Sequence, residues 1–215
     1  MHPAGSALGI MGGTFDPIHY GHLVTAEVAR HAFGLEQVVF VPSRRPPHKE
    51  GQKVTDPEHR YLMTVLATID NPAFRVSRVE VERPGNSYTV DTVREFRRAV
   101  RPQTELFFIT GADAIMEILT WREPKELLGM CRFIAATRPG YPLEALMSLI
   151  RTLNQGSGCR VEPLEVPALA ISSSDIRRRV ARGEPIRYLV PGAVENYIIK
   201  NGLYRGEEPG RGAGS

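Results

Sequence analysis

Short apolar runs rich in Val, Ile and Phe alternate along the chain with longer segments whose apolar residues recur at helical spacing. Runs of the first kind predict buried strands, and the longer pattern predicts amphipathic helices. The predicted strands are residues 7–11, 37–42, 74–81, 105–110, 132–137 and 160–166. The predicted helices between them are residues 22–33, 58–69, 90–100, 114–119, 124–130 and 143–153. Strand and helix in alternation predict an α/β fold with a doubly wound, largely parallel sheet.

The segments that follow the predicted strands are polar, basic or rich in glycine. They are residues 12–22, 43–49, 111–113, 138–140 and 168–174. Ligands of doubly wound sheets gather outside the carboxyl ends of the strands, so we expect these segments to form one site.

Beyond the sheet, the pattern predicts two more helices, residues 173–182 and 192–200, in a C-terminal helical extension over residues 171–205. We expect residues 1–205 to form a single domain, because one core is the default at this length. Residues 206–215 contain no apolar side chain larger than Ala and predict a disordered tail.

Composition narrows the class of protein. The chain has 215 residues, 42% of them hydrophobic, without a signal-peptide pattern or the ~20 consecutive apolar residues that cross a bilayer. We therefore expect a cytoplasmic protein without a membrane partner. Net charge is +3, from 27 basic and 24 acidic residues, and the basic residues form short separate clusters. No nucleic-acid-binding motif accompanies these clusters, so they favour small anionic ligands, and a homo-oligomer is compatible with the sequence.

The sequence GIMGGTFDPIHYGH at residues 9–22 is the most specific signal in the chain. Its two adjacent glycines let the backbone approach a ligand closely, and main-chain N–H groups at the following helix start point at an anion. The two histidines add donors that can carry charge near neutral pH. The predicted polyphosphate site comprises Gly12, Gly13, Thr14, Phe15, His19 and His22.

Three other interpretations of this segment are weaker. Histidines three residues apart can share a helix face and bind zinc, but no further Cys, His or carboxylate follows at ligand spacing. Gly9, Gly12 and Gly13 do not match the G-x-G-x-x-G fingerprint of dinucleotide-binding folds. A glycine turn followed by two surface histidines without function is the third alternative.

A second candidate for phosphate binding is the sequence ISSSDIR at residues 171–177. Ser172 and Asp175 are spaced as a capping box, in which Ser172 bonds the first-turn N–H groups and Asp175 reaches back. Several hydroxyl and N–H groups at a positive helix end, with an arginine one turn later, also suit phosphates. The candidate ligands are Ser172, Ser173, Ser174 and Arg177, and the two roles are compatible.

Three further segments carry candidate residues. His48 and Lys49 follow two prolines that stiffen the chain, and a lysine is a compact charge suited to phosphate, although a solvated basic loop fits equally well. Asp113 lies just beyond a predicted strand, where it either binds a ligand or caps a helix that begins at Ala114. Trp121 stands in a break before a proline, which is a poor place to bury a large ring, although a lone tryptophan is more often part of a core.

Residues 12–22 resemble the signature of nicotinate mononucleotide adenylyltransferases, within the HxGH nucleotidyltransferase superfamily. Residues 171–177 resemble that family's Ile-Ser-Ser-Thr-x-Ile-Arg motif, with Ser174 in place of Thr. The resemblance extends over about residues 8–205, and it implies a Rossmann-like nucleotidyltransferase sheet. Arg122 is a departure, because an aromatic residue is common in the family at this position.

The resemblance also implies roles for the candidate residues. The transition state would be stabilised by His19, His22, Lys49 and Arg177. ATP would be bound by Gly12, Gly13, Thr14, Phe15, His19, His22, Asp113, Ser172, Ser173, Ser174 and Arg177. The mononucleotide would be bound by Thr14, His48, Lys49, Thr89, Trp121 and Arg138. In the family, main-chain N–H groups near the Thr89 position receive the nicotinate carboxylate, and a tryptophan at the Trp121 spacing stacks on the pyridine ring.

The reaction that the resemblance implies joins ATP and nicotinic acid mononucleotide to give nicotinic acid adenine dinucleotide and pyrophosphate in NAD synthesis. The mononucleotide phosphate would attack the α-phosphate of ATP in line, with Mg²⁺ as the cofactor that bridges the ATP phosphates. Two alternatives stay open. The same cradle suits an enzyme for another phosphomonoester, such as phosphopantetheine, and also a nucleotide-binding sensor without enzymatic activity.

Overall fold

The protein is a single twisted sheet covered by helices, in a computed structural model that describes residues 6–46, 51, 53–156 and 160–205. Within these residues the sheet has six strands: β1 (Ala7–Gly13), β2 (Gln37–Pro42), β3 (Phe74–Val76), β4 (Glu105–Gly111), β5 (Arg132–Thr137) and β6 (Val161–Glu165). They lie in the order β3-β2-β1-β4-β5-β6, and every neighbouring pair is parallel. The predicted doubly wound α/β fold is confirmed.

Helices connect the strands and complete two apolar layers. They are α1 (Tyr20–Ala32), α2 (Pro57–Thr68), α3 (Val79–Glu82), α4 (Thr89–Ala99), α5 (Ala112–Met116), α6 (Pro124–Met130), α7 (Leu143–Gly156), α8 (Ser173–Ala181) and α9 (Gly192–Lys200). Successive strand residues point to opposite faces of a sheet, so Met11 joins the layer under α1, α2, α8 and α9, whereas Ile10 joins the layer under α4 to α7. The sheet core is therefore buried on both faces.

The strand predicted at residues 74–81 is present only in its first three residues. The apolar run at residues 74–81 predicts a strand, but β3 ends at Val76 and α3 follows at Val79. The hydroxyl oxygen of Ser77 accepts the main-chain N–H of Val79 at 3.3 Å, and this local bond turns the chain out of the sheet. Val81 is still buried, as part of α3.

The other predicted elements are present with shifted ends. The helix predicted at 114–119 begins earlier, as α5, and continues as a 3-10 turn at Ile118–Thr120. The two helices of the C-terminal extension lie where the sequence predicts them. None of the helices in the described ranges is long and apolar enough to cross a membrane. The predicted tail at 206–215 lies outside the described residues.

Candidate active site

The glycine turn that follows β1 lies at the point where the strand order reverses. β1 pairs with β2 on one side and with β4 on the other. The ends of β1 and β4, at Gly13 and Gly111, therefore flank one crevice at the carboxyl edge of the sheet. Crevices of this kind are where open α/β sheets bind nucleotides.

Two glycines of the first motif are required by packing of the site itself. A Cβ on Gly13 would come within 2.8 Å of the Phe15 ring, and a Cβ on Gly21 within 3.0 Å of the His19 ring. Phe15 adopts a positive φ of 48° and folds its buried ring back over the turn. We predicted close approach to a ligand as the reason for Gly13, whereas in this structure an aromatic ring occupies the space.

The histidines of the motif stack on each other at the start of α1. Their ring centroids lie 3.8 Å apart, and the edge of Phe15 closes the His22 ring from another side at 5.1 Å. The main-chain N–H of His19 donates to Nδ1 of His22 at 3.2 Å. Because an accepting nitrogen carries no proton, a neutral His22 ring has its proton on Nε2, where it can be donated to a ligand.

His19 is buried with one ring nitrogen unsatisfied. The N–H of His22 lies against the His19 ring but bonds the His19 carbonyl at 3.0 Å. Nδ1 of His19 consequently has no hydrogen-bond partner in the part of the chain that the structure describes. A buried polar atom without a partner is costly, and this nitrogen lies beside Gly21 at the start of α1.

Burial changes the charge that we predicted for these rings. It lowers the pKa of His19 to about 4, and it lowers the pKa of His22 well below its usual value, with the neighbouring His19 ring lowering it further. Both rings are therefore neutral at pH 7 in the free site, which corrects the prediction of charge near neutral pH. A bound polyphosphate would favour the protonated forms again.

The second motif forms the start of α8. The hydroxyl oxygen of Ser172 accepts the main-chain N–H of Asp175 at 3.1 Å, so the predicted helix cap is confirmed. The carboxylate of Asp175 does not reach back as a capping box requires, because it pairs with Arg178 and Arg179. Ser174 is exposed beside the cap.

Two long-range bonds join this helix start to the glycine turn. The hydroxyl of Ser173 donates to the carbonyl of Pro17 at 2.8 Å, and the guanidinium of Arg177 donates to the carbonyl of Asp16 at 2.6 Å. The two motifs are more than 150 residues apart in the sequence, with separations of 156 and 161 for these bonds. The structure thus brings both predicted phosphate-binding motifs into one place.

The residues predicted to bind the mononucleotide base also lie together. Thr89 is the first residue of α4, and Tyr88 before it packs under the Arg122 guanidinium, 4.6 Å from the ring centroid. Trp121, next to Arg122, is partly buried and meets Phe108 of β4 edge to face at 6.2 Å. This geometry assigns a contact to Arg122, whose residue type departs from the resembled family.

A reciprocal pair of bonds ties this region to the loop after β2. The main-chain N–H of Arg44 donates to the Ser87 hydroxyl at 2.9 Å, and the N–H of Ser87 donates to the carbonyl of Arg45 at 2.9 Å. The turn before α4 is therefore held against the loop that leads to His48 and Lys49. Both of those predicted residues lie outside the described ranges.

Asp113 has a different partner from the one that helix capping predicts. The helix begins at Ala112 with Gly111 as its N-cap, so Asp113 lies inside the first turn of α5. Its carboxylate is exposed and accepts the Tyr141 hydroxyl at 3.0 Å. This bond holds the exposed turn that carries Arg138 against the end of β4. The capping interpretation of Asp113 is wrong, and its carboxylate stands at the mouth of the crevice.

Sequence reasoning missed four residues around the glycine turn, the buried Ser43, Arg60 and Asp16 and the partly buried Tyr204. The hydroxyl of Ser43 is buried and has no partner among the described residues. Arg60 could have been found, since it shares a helix face with the buried Met63, Thr64 and Ala67. Asp16 lies within the first motif and Tyr204 within the predicted C-terminal extension, but the sequence assigned neither a task.

Metal binding by the protein alone finds no support in these ranges. No group of three or more His, Cys, Asp and Glu side chains that could hold an ion lies in the described part of the chain. Mg²⁺ bound with ATP needs fewer protein ligands, because the ion keeps several waters and takes oxygen ligands from phosphates.

Known proteins similar to this chain include nucleotidyltransferases. The family model described as cytidylyltransferase-like matches residues 10–179. A relative from Moorella thermoacetica, named "Probable nicotinate-nucleotide adenylyltransferase", is 62% identical over 198 residues, covering 92% of this chain and 91% of the relative. A relative from Thermoanaerobacter sp. with the same name is 56% identical and covers 94% and 95% of the two chains. Crystallised Plasmodium falciparum nicotinic acid mononucleotide adenylyltransferase complexed with NaAD superposes with a TM-score of 0.74 at 21% identity, over 93% of this chain and 97% of its own.

The fold, the two joined motifs and the family model define a nucleotidyltransferase. Such enzymes transfer a nucleotidyl group between phosphates. With relatives of 62% and 56% identity over more than nine-tenths of its length, the chain belongs to the nicotinate-nucleotide adenylyltransferase family.

Proposed function

We propose that this enzyme transfers the adenylyl group of ATP to nicotinic acid mononucleotide, giving nicotinic acid adenine dinucleotide and pyrophosphate for NAD synthesis. The observation that carries the proposal is the pair of bonds from Ser173 and Arg177 to the glycine turn. These bonds set the N-terminus of α8 beside the turn, so one polyphosphate can contact both motifs. The names of the relatives support the same reaction.

The attacking group is already an anion, so the reaction needs no general base. The mononucleotide phosphate displaces pyrophosphate in line at the α-phosphate, and no covalent enzyme intermediate forms. Catalysis then rests on positioning and on donors aimed at developing charge. His22 supplies Nε2–H, His19 supplies a second imidazole, and Arg177 supplies guanidinium N–H groups beyond the one bound to Asp16.

Electrostatics explain why neutral imidazoles suit this task. Two charged rings 3.8 Å apart would repel each other in the empty site, and burial disfavours either charge. As pyrophosphate leaves, negative charge grows on the oxygen between the α- and β-phosphates, and a ring that gains positive character there stabilises the transition state more than the ground state. We assign this role to His22 first and to His19 second.

The acceptor mononucleotide would occupy the half of the crevice between α4 and Trp121. Main-chain N–H groups near Thr89, at the N-terminus of α4, would receive the nicotinate carboxylate, and Trp121 would stack on the pyridine ring. We assign binding of the rest of the mononucleotide to Thr14, His48, Lys49 and Arg138. ATP would further contact Asp113, Ser172 and Ser174.

We assign Mg²⁺ to the bound ATP, where it would neutralise phosphate charge. The substrates are small molecules, and a homo-oligomer is compatible with the proposal. Use of ATP in NAD synthesis also supports a cytoplasmic location.

Pyrophosphate release with a panel of acceptors tests the function. Purified protein, ATP and Mg²⁺ would be mixed with nicotinic acid mononucleotide, nicotinamide mononucleotide or phosphopantetheine in parallel. We expect the greatest kcat/KM with nicotinic acid mononucleotide. A preference for phosphopantetheine would replace the proposed acceptor, and binding of ATP without release from any acceptor would indicate a sensor.

A further inference from the structure

The carboxylate of Asp16 lies buried beneath the glycine turn, where the protein itself occupies both of its oxygens. One oxygen accepts the main-chain N–H of Thr55 at 3.2 Å, and the other accepts the hydroxyl of Tyr204 at 2.7 Å. Only 3% of Asp16 is exposed. This carboxylate therefore serves the conformation of the turn, while the carbonyl of the same residue receives Arg177.

Arg60 is a fully buried cation in the same region. Its guanidinium donates to three main-chain carbonyls, those of Thr55 and Thr14 at 2.7 Å and that of Arg44 at 3.0 Å. Burial lowers the pKa of Arg60, and the charge of Asp16 is the first of several that oppose this effect. A buried charge is costly unless it is compensated, and Arg60 is compensated by its three carbonyl acceptors and by the nearby charge of Asp16.

These bonds join four separate stretches of the chain. Thr14 belongs to the glycine turn, Arg44 follows β2, Thr55 precedes α2, and Tyr204 follows α9 near the C-terminus. None of the bonds is satisfied within one secondary-structure element, so the positions of the four stretches depend on one another. The segment that follows α9 is thereby fixed to the turn that the proposed function assigns to ATP.

We propose that Tyr204, Asp16 and Arg60 form a turn-anchoring network that sets the main chain of residues 14–16 in the geometry that adenylyl transfer requires. The proposal rests on the proposed function. All three are positioning residues, since each acts through the backbone of the turn. A misplacement of about 1 Å in a catalytic constellation can cost roughly 10²-fold in rate, so a network of this kind influences turnover without contacting substrate.

Tyr204→Phe is the sharpest variant, because it removes one hydroxyl group and leaves the ring in place. Tyr197→Phe is its matched control. The Tyr197 hydroxyl shares a hydrogen bond of 2.8 Å with Nδ1 of His59, which ties α9 to α2 without a bond to the glycine turn. Each variant thus loses one long-range bond from the C-terminal segment, and we expect both to lower the melting temperature.

Steady-state kinetics at a temperature well below both melting transitions separates positioning from stability. We expect Tyr204→Phe to lower kcat/KM for ATP by about tenfold, with most of the loss in kcat, while Tyr197→Phe stays within about twofold of the wild type. A merely structural bond would lower the melting temperature alone. Wild-type kinetics in folded Tyr204→Phe would therefore overturn the proposal.

Arg60→Lys provides a second test, because an ammonium group keeps the charge but cannot bond three carbonyls in the fork geometry of a guanidinium. We expect a larger loss of kcat than in Tyr204→Phe, and a folded Arg60→Lys enzyme with wild-type kinetics would also overturn the proposal. Failure of the proposed function would appear separately, as wild-type protein that releases no pyrophosphate. The network is then tested by calorimetric ATP affinity, which Tyr204→Phe must weaken and Tyr197→Phe must not.

Discussion

The two ends of the crevice are held by different kinds of interaction. At the end formed by the glycine turn and α8, the phosphate end, the polar groups are buried: 7% of His19 and none of Arg60 is exposed. At the end formed by α4 and Trp121, the base end, Arg94 pairs with Asp91 at 2.9 Å and with Glu126 at 2.5 Å. The side chains of these surface pairs are between 26% and 47% exposed.

This difference indicates how each end contributes to the reaction. Exposed ion pairs contribute about 0–1 kcal/mol, because solvent screens them and ordering the side chains costs entropy. Breaking a buried hydrogen bond to a main-chain carbonyl costs more free energy than breaking an exposed ion pair, because the carbonyl is left without a partner. We therefore expect the phosphate end to be rigid and to govern turnover, and the base end to adjust and to govern the choice of mononucleotide.

The largest expected effect is that of His22→Ala at the phosphate end. Loss of the Nε2–H donor should lower kcat at least tenfold, and by up to about 10²–10³-fold, the cost of one lost transition-state donor in related settings. His19→Ala should have a milder effect in the same direction. His31→Ala, which removes an exposed histidine from the last turn of the same helix, is the control. Unaltered turnover with weaker ATP binding would show that the imidazoles only bind substrate.

The next largest effect concerns the binding of ATP at the phosphate end. Arg177→Ala should raise the KM for ATP about tenfold or more and the KM for the mononucleotide far less, because a hydrogen bond to a charged group contributes roughly 1.5–3 kcal/mol. Arg179→Ala is the matched control on the same helix, since Arg179 pairs with Asp175 at 2.8 Å. Equal changes in both KM values would indicate a role confined to holding α8.

The base end should discriminate between acid and amide substrates. Main-chain donors near Thr89 bond a carboxylate more strongly than a neutral amide, whose N–H₂ would lack an acceptor. We expect kcat/KM to favour nicotinic acid mononucleotide over nicotinamide mononucleotide by about tenfold or more. Similar values for the two would contradict this preference and leave adenylyl transfer intact. Trp121→Ala is the comparison variant, because loss of stacking should weaken the binding of both mononucleotides to the same extent.

The smallest expected effect is on stability and arises at the phosphate end. An unfolded histidine titrates near pH 6.5, and burial lowers the pKa of folded His19 to about 4, so acidification between these values protonates the unfolded state preferentially. From pH 8 to pH 6, His19 alone should therefore lower the free energy of unfolding by about 0.8 kcal/mol. Urea unfolding of wild type and His19→Gln at both pH values measures this change in the free energy of unfolding. Equal pH dependence in the two proteins would refute the assignment.

The ion pairs of the base end should not change stability between pH 8 and pH 6. The pKa of Glu126 lies below its usual value, so this carboxylate stays charged throughout that range.

Local patterns predicted most of the elements and the candidate residues. Five of the six strands and both C-terminal helices follow from apolar runs and helical spacing, since these signals are read from neighbouring residues. The prediction for residues 74–81 was wrong beyond Val76, because the Ser77 hydroxyl accepts the N–H of Val79 and α3 follows, which the apolar run does not indicate. The phosphate motifs could be identified because glycine, hydroxyl and histidine chemistry appears at fixed spacing.

The amino-acid sequence was enough to predict the order of strands and helices along the chain, the two phosphate-binding motifs and the resemblance to one enzyme family. The charge of the site and the hydrogen bonds that support it became known only from the folded structure. Burial lowers the pKa values of His19 and His22, and the neighbouring His19 ring lowers that of His22 further. The anchoring of the glycine turn depends on residues up to 188 positions away. Desolvation and long-range hydrogen bonds exist only after distant segments have packed, so no local pattern encodes them.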